Sequence, residues 1–336
     1  MTGTEALETR THETEGAWPS AGAAGGYLCP PDLLLRARER GPTPMAVAAA
    51  GASDVLQSVC LAASFGLVEP ILVGDPAAIG AVLSKEASPP AFRIVPAMTE
   101  ADAARLAVGL VTTGEARLLM KGHLHTDALM RAVLDRAAGL RPPGSRLSHV
   151  FVMRWPGAVH HLLITDAALN VAPDPETTLH IVRHAIRVAK TVGIAHPRIA
   201  MLSASETVNA AMPSSVAAGA FAASFCEEAE RSGCSITGPL ALDIALSPES
   251  AALKDMAGDA VAGRADVLIV PNIETGNTLF KALVHLLHAT AIGVVLGATV
   301  PVVLTSRADP MEAKLASIAL AQLLSPQPAE MRATNN

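Results

Sequence analysis

Short apolar runs alternate with amphipathic segments along most of this chain, and that alternation restricts the possible folds more than any single residue does. "PMAVAAA" (44–50) suits a buried strand, and "SDVLQSVCLAASFG" (53–66) follows with helical spacing and Ser53 or Asp54 as its cap. "PILVG" and "PAAIGAVLS" repeat the pair, as do "RLLMKG" and "TDALMRAVLDRAAG". Such a succession predicts layered α/β structure around a mainly parallel sheet. Near residue 145 the pattern changes. "LSHVFVMRWPGAVHHLLITDAALN" reads as two strands joined through Pro156-Gly157, a hairpin that opens a second α/β unit. Alternation then resumes: Asp174 and Pro175 start a helix, and "RIAMLS" and "ADVLIVP" are short strands.

Composition narrows the class. With 336 residues, 50% of them hydrophobic, the chain is too long for one small core. A net charge of -6 without long runs of one sign, and 3% aromatic residues, argue against a nucleic-acid surface. Cys29, Cys60, Cys226 and Cys234 form no C-x-x-C pair, so reduced thiols and a cytoplasmic location are expected. The first 26 residues are polar, acidic and Gly-rich, and lack the pattern of a secretion signal; they are expected to be disordered. The charge-free run 289–305 approaches membrane-spanning length. Its proline, glycines and β-branched residues favour a buried strand fed by a loop, so no membrane partner is expected.

In open α/β sheets, ligands sit beyond the carboxyl ends of strands. Three strand-end loops carry polar residues. After "VVL" comes "TSRADPME", where Asp309, Pro310 and Glu312 read as cap, first-turn proline and capping-box glutamate. Ser306 and Arg307 then stand before a helix N-terminus, where a guanidinium suits a phosphate or carboxylate; a surface salt bridge is the alternative. After "DVLIVP" comes "NIETGNTLFKALVHLL". Gly276 permits a turn, Asn277 or Thr278 can cap, and Lys281 falls in the first turn, against the helix dipole. That placement hints at an anionic ligand or a solvent-facing lysine. After "RLLM" comes "KGHLHTDALMR", where Lys121 and Arg131 bracket His123, His125 and the cap candidates Thr126 and Asp127. The two histidines share a side of an extended segment but have no third ligand at suggestive spacing, so no metal site is expected. His160 and His161 point to opposite faces of a strand. No P-loop, dinucleotide fingerprint, nucleophile elbow or H-E-x-x-H motif occurs.

"LLMKGHLHTDALMRAVL", "LLITDAALNVAPD", "GPLALDIALS", "ADVLIVPNIETGNTLFKAL" and "PVVLTSRADP", in that order, resemble the phosphate acetyl/butyryltransferase family, in detail its phosphate butyryltransferase-type branch. The resemblance covers roughly residues 45–324. It implies two α/β domains with a cleft between them, similar to isocitrate and isopropylmalate dehydrogenases, in a homodimer. The first domain would be discontinuous, residues 27–147 plus 300–330, and the second would be 148–299.

The implied activity is reversible acyl transfer between coenzyme A and inorganic phosphate, both substrates, with no permanently bound cofactor and no metal. The family's Ser-Arg pair falls on Ser306 and Arg307, and its helix arginine on Arg131. These three are the catalytic candidates. The arginines would bind phosphate and hold the oxyanion, and Ser306 would donate to that oxyanion or to the leaving sulfur. Lys121, Thr126, Asn277, Lys281 and Thr305 are the substrate-binding candidates. One position departs: the aspartate that acetyltransferases carry after Ser-Arg corresponds to about Ala313, beside Lys314, with Glu312 nearest. A thiol of pKa near 8.5 makes a strong base dispensable. The alternatives are a metal- and NAD-dependent decarboxylating dehydrogenase of the same fold and a catalytically idle relative that binds CoA esters. Acetyl and butyryl groups both remain open, since one methylene is worth only about 1–3 kcal/mol.

Overall fold

The computed structural model describes residues 30–85, 91–158, 160–306 and 309–326. The expected tail (1–26), Cys29 and Arg307 therefore lie outside the described residues.

The strands are β1 (Thr43–Ala48), β2 (Val68–Gly74), β3 (Arg93–Pro96), β4 (Leu118–Lys121), β5 (Ser148–Arg154), β6 (Leu162–Thr165), β7 (Arg198–Leu202), β8 (Ser235–Leu240), β9 (Val267–Ile269), β10 (Thr290–Leu296) and β11 (Val302–Val303). The helices are α1 (Pro31–Glu39), α2 (Ser53–Ser64), α3 (Pro76–Leu83), α4 (Glu100–Thr112), α5 (Thr126–Leu134), α6 (Pro175–Thr191), α7 (Pro213–Arg231), α8 (Leu242–Leu246), α9 (Pro248–Leu253), α10 (Ile273–Leu287) and α11 (Met311–Leu324).

All these strands join one sheet in the order β3-β2-β1-β4-β11-β10-β5-β6-β9-β7-β8. The first five in that order are parallel, as are the last four. Between them, β10 is antiparallel to β11 and β5, and β5 is antiparallel to β6. The two parallel sets therefore run in opposite directions, and their carboxyl ends lie at opposite edges of the sheet. The apolar runs are strands because both faces of the sheet are covered by helices, which favours continuous burial over alternation; β1, β4 and β10 are nearly or wholly buried.

The two faces differ. One carries a single apolar cluster that runs from Leu33 of α1 through Leu56 of α2 and Leu315 of α11 to Ile181 of α6 and Phe221 of α7. The other carries two. Val108, Leu119 and Leu129 belong to a cluster under α4 and α5. Phe151, Ile164 and Leu268 belong to another, against which Leu279 and Phe280 of α10 pack. Helix α11 is buried nearly all round, as expected of a helix apolar on every side. It packs on α2, α1 and β10, so β11 and α11 lie beside β4 and α2 despite their distance in sequence.

Several local readings change. The helix after β9 begins at Ile273, capped by Asn272, whose Oδ1 accepts the Thr275 N–H at 2.9 Å. An Asn that reaches the third helical N–H starts the helix earlier than Gly276 suggests. Gly276, Asn277 and Thr278 are thus inside the helix, and Lys281 sits in its third turn, not its first. Gly276 serves close packing: a Cβ there would stand 2.8 Å from Val270 and 2.9 Å from Ala167. Helix α11 has Pro310 at its cap position, so Asp309 is not the cap. Helix α2 has Ala52 there, not Ser53 or Asp54, and α5 has His125, with Thr126 as its first residue. The run 289–305 holds two paired strands instead of one. His160 and His161 precede β6 instead of lying within it. By contrast, Asp174 does cap α6, accepting the Thr177 N–H at 2.7 Å.

Candidate active site

The carboxyl edge of β1, β4 and β11 gathers the loops that hold most of the candidate residues. The chain leaves β4 through Lys121, which pairs with Ala48 of β1. Immediately afterwards Gly122 N–H donates to Ala48 O and His123 N–H to Ala49 O, both at 2.8 Å. This places the β4 loop directly on the β1 loop. Only glycine fits: a Cβ at 122 would lie 2.4 Å from the carbonyl oxygens of both Ala48 and Ala49. On the other side, Val303 of β11 pairs with Met120, so Leu304, Thr305 and Ser306 leave the sheet beside Lys121. Lys121 and Thr305 are only 6% and 7% exposed, whereas Ser306 is open to solvent.

Asp309 turns back over this loop. Its Oδ2 accepts the Ser306 backbone N–H at 2.7 Å. Burial pushes the Asp309 carboxyl above its ordinary value; the Ser306 N–H and the charges of Lys314 and Lys121 act against that. Lys314, 3% exposed, donates to Asp54 Oδ2 at 2.5 Å. Burial works against ionisation of Asp54, but the Lys314 hydrogen bond and charge outweigh it and hold the carboxyl below its usual range. Two buried lysines thus stand close to the Ser306 loop, with two carboxylates between which their charge is shared. Lys314 and Asp54 escape sequence reading because 260 positions separate them. The only signal is a lysine in a mostly apolar helix.

The remaining candidates are placed as follows. Thr126, half-buried, opens α5 after the β4 loop. Arg131 is exposed on the last turn of α5, opposite the buried Leu129, Met130 and Val133. Asn277 donates through Nδ2 to Ala167 O at 3.3 Å, and Lys281 is exposed. Both belong to α10, which starts at the other edge of the sheet and returns along the split face. His125 Nδ1 lies 3.0 Å from Glu100. Among the described residues no three His, Cys, Asp or Glu side chains converge as a metal-holding group. A hollow of about 420 Å³, lined by Ala49, Gly51, Gly74, Thr99, Glu100 and His123 among others, adjoins the β4 loop. A second, of about 620 Å³, lies at the opposite edge between β7 and β9, and none of the candidates lines it.

The floor between the two apolar clusters of the split face holds a residue that sequence reading missed. His149 of β5 is fully buried, and its Nε2 lies 3.3 Å from Leu304 O. Burial holds its pKa down, against the pull of the Asp166 charge. Asp166, just beyond β6, accepts from the Ala168 and Leu169 N–H groups through Oδ1 and from Asn170 Nδ2 and the His149 N–H through Oδ2. It is spent on that loop.

A family model described as "Phosphate acetyl/butaryl transferase" matches residues 90–322. The chain is 45% identical to a phosphate acetyltransferase of Rhizobium meliloti over 295 residues, 87% of this chain and 92% of that protein. It is 39% identical to a phosphate butyryltransferase of Clostridium acetobutylicum, covering 87% and 97% of the two chains. Among solved structures, a branched-chain phosphotransacylase from Enterococcus faecalis V583 matches with a TM-score of 0.71 and 35% identity, over 84% of this chain and all of that one. Neither a decarboxylating dehydrogenase nor an idle CoA-ester binder finds support among these relatives.

Proposed function

The chain belongs to the phosphate acetyl/butyryl transferase family and transfers a short acyl group reversibly between coenzyme A and inorganic phosphate, and we propose that it does so at the carboxyl edge of β4 and β11. The observation that carries this location is the juxtaposition of the Ser306 loop with buried Lys121 and Lys314. Buried cationic groups at a strand end attract an oxyanion strongly, because little water screens them. In the forward direction a phosphate oxygen attacks the thioester carbonyl carbon. The carbonyl electron pair moves onto its oxygen and then returns to re-form C=O as the C–S bond breaks; the sulfur leaves with the C–S bonding pair and takes up the proton that the phosphate gives up. Acyl phosphate and CoA result.

Arg307 and Arg131 bind phosphate and share the oxyanion, and Ser306 donates to that oxyanion or to the sulfur. Lys121, Thr126 and Thr305 bind substrate from the β4 and β11 sides; Asn277 and Lys281, which α10 carries from the other edge of the sheet, are the further substrate-binding candidates. Ala313 stands where a base would otherwise be expected, and a thiol needs little help near neutrality. The site lies in a cleft between a first domain, 27–147 plus 300–330, and a second, 148–299. The protein works as a cytoplasmic homodimer without resident cofactor or metal, and its short acyl group is acetyl or butyryl. Cys226 and Cys234 are free thiols, which fits that setting, and no described helix is long and apolar enough to cross a membrane.

The test is CoA release from acetyl-, propionyl- and butyryl-CoA, each with and without phosphate. Release that depends on phosphate is expected with at least the acetyl or the butyryl ester. A rate indifferent to phosphate for every ester would overturn the reading.

A further inference from the structure

We propose that His149 is a positioning residue for the Ser306 loop: from the floor of the split face it clamps the Leu304 carbonyl and passes the position of α10 to that loop. The inference rests on the site proposed above. A carbonyl oxygen can only accept, so Nε2, 3.3 Å from Leu304 O, carries the hydrogen. Burial favours the neutral ring, in which Nδ1 is a bare acceptor. Nδ1 is buried and, among the described residues, has no hydrogen-bond partner. A core residue chosen only to fill space would not leave a polar atom unmet, since that costs free energy which an apolar ring of the same shape avoids.

The surroundings are shaped to the ring. At Gly293 of β10 a Cβ would stand 2.9 Å from both Cε1 and Nε2 of His149 and 3.3 Å from Leu304 O. A side chain there would separate the imidazole from the carbonyl it holds. On its other side His149 packs on Phe151, ring centroids 4.1 Å apart, and Phe151 stacks on Phe280 at 4.3 Å. Phe280 lies on α10 between the candidates Asn277 and Lys281. The three rings therefore form a continuous contact from α10 to Leu304, two residues before Ser306. A group aimed at developing charge must be held closely, and a displacement of about 1 Å can cost a hundredfold in rate.

The experiment compares full-length His149→Phe, His149→Gln and Phe280→Leu with wild type, by steady-state kinetics with phosphate and acyl-CoA varied and by thermal melting. His149→Phe keeps the ring and loses the donor. It is expected to melt near wild type and to lose about ten- to a hundredfold in kcat, with a smaller change in either KM. His149→Gln, which returns an N–H near the Nε2 position, should recover most of that loss. Phe280→Leu should lower kcat in wild type and change little further in the His149→Phe background. Unchanged kcat in folded His149→Phe, equal losses in the Phe and Gln variants, or additive effects of His149→Phe and Phe280→Leu would overturn the proposal. Should His149→Phe not fold, Phe280→Leu decides: lowered kcat with unchanged melting supports it, and unchanged kcat overturns it. Phosphate-independent CoA release by wild type would instead overturn the proposed function itself.

Discussion

On one face of the sheet the apolar core is unbroken from α1 to α7; on the other it parts into a cluster under α4 and α5 and a cluster under α10. The neighbours Ser148 and His149 show the contrast within one strand. Ser148 points to the continuous face, where its Oγ lies 2.8 Å from His184 Nδ1. His149 points to the split face and reaches Leu304. The continuous face ties together segments far apart in sequence: Gln322 donates to Ala37 O and Gly41 O, and Arg187 to Leu324 O. The split face leaves room for polar loops. The comparison teaches that the continuous face ties distant segments together, whereas the split face takes a buried polar side chain, His149, into its floor.

The largest effect should come where a loop of the site presses on the sheet. Gly122→Ala drives a Cβ into two backbone oxygens that have no rotamer to escape through. It should lose about 4 kcal/mol in a denaturant melt and abolish phosphate-dependent CoA release. Wild-type stability would show that the β4 loop is not pressed on the β1 loop as closely as the Gly122 geometry requires.

Next is the continuous face. Burial, followed by the charges of His180 and Arg187, pushes His184 down from 6.5 to about 4. Between those values the folded protein keeps the ring neutral while the unfolded chain takes up a proton. Stability from this group is therefore complete above about pH 6.5 and falls on acidification, with about 3 kcal/mol lost below about pH 4. Melts from pH 8 to 4 on wild type and His184→Gln should show the slope in wild type and its reduction in the variant. Parallel curves would mean that the ring is open to protons, and that this face is not the closed one.

Arg307→Lys should separate function from stability. If the arginine holds phosphate with two parallel N–H donors, its replacement by a point charge weakens a contact of about 1.5–3 kcal/mol. Turnover should then fall by about one to three decades and the phosphate requirement should rise, with unchanged melting. Ser306→Ala should lower kcat with a smaller effect on phosphate binding, because a hydroxyl aimed at developing charge matters most in the transition state. Wild-type kinetics in Arg307→Lys would make the arginine a surface ion-pair partner.

The smallest effect is expected at the Lys314–Asp54 pair, which joins α11 to α2. Asp54→Asn removes the carboxylate from Lys314. Asp54 is half-exposed, so screening leaves a stability loss of about 1 kcal/mol. Since Lys314 holds the Asp54 pKa down, the difference from wild type should be present above pH 4 and vanish as the pH falls through the folded value. A difference that persists in acid would point to lost packing instead of lost charge.

Local chemistry was legible in the sequence by itself. The alternation of strand and helix, the hairpin at Pro156-Gly157, the Asp174-Pro175 start of α6 and the ordered motifs that mark the family all depend on neighbours within a few residues, and the structure contains each of these elements. Some local signals misled because a tertiary partner competed for the group. Asp309 carries every mark of a cap yet binds the Ser306 N–H, and Gly276 looks like a turn yet lets α10 close on Ala167. What only the tertiary structure decided are the meetings of distant residues: Lys314 with Asp54, His149 with Leu304, and the division of one apolar complement into a continuous and a split face. The physical reason is that a buried charge or imidazole takes whichever partner folding brings within about 3 Å. Periodicity reports which side of an element is buried, and it carries no information about what lies against that side.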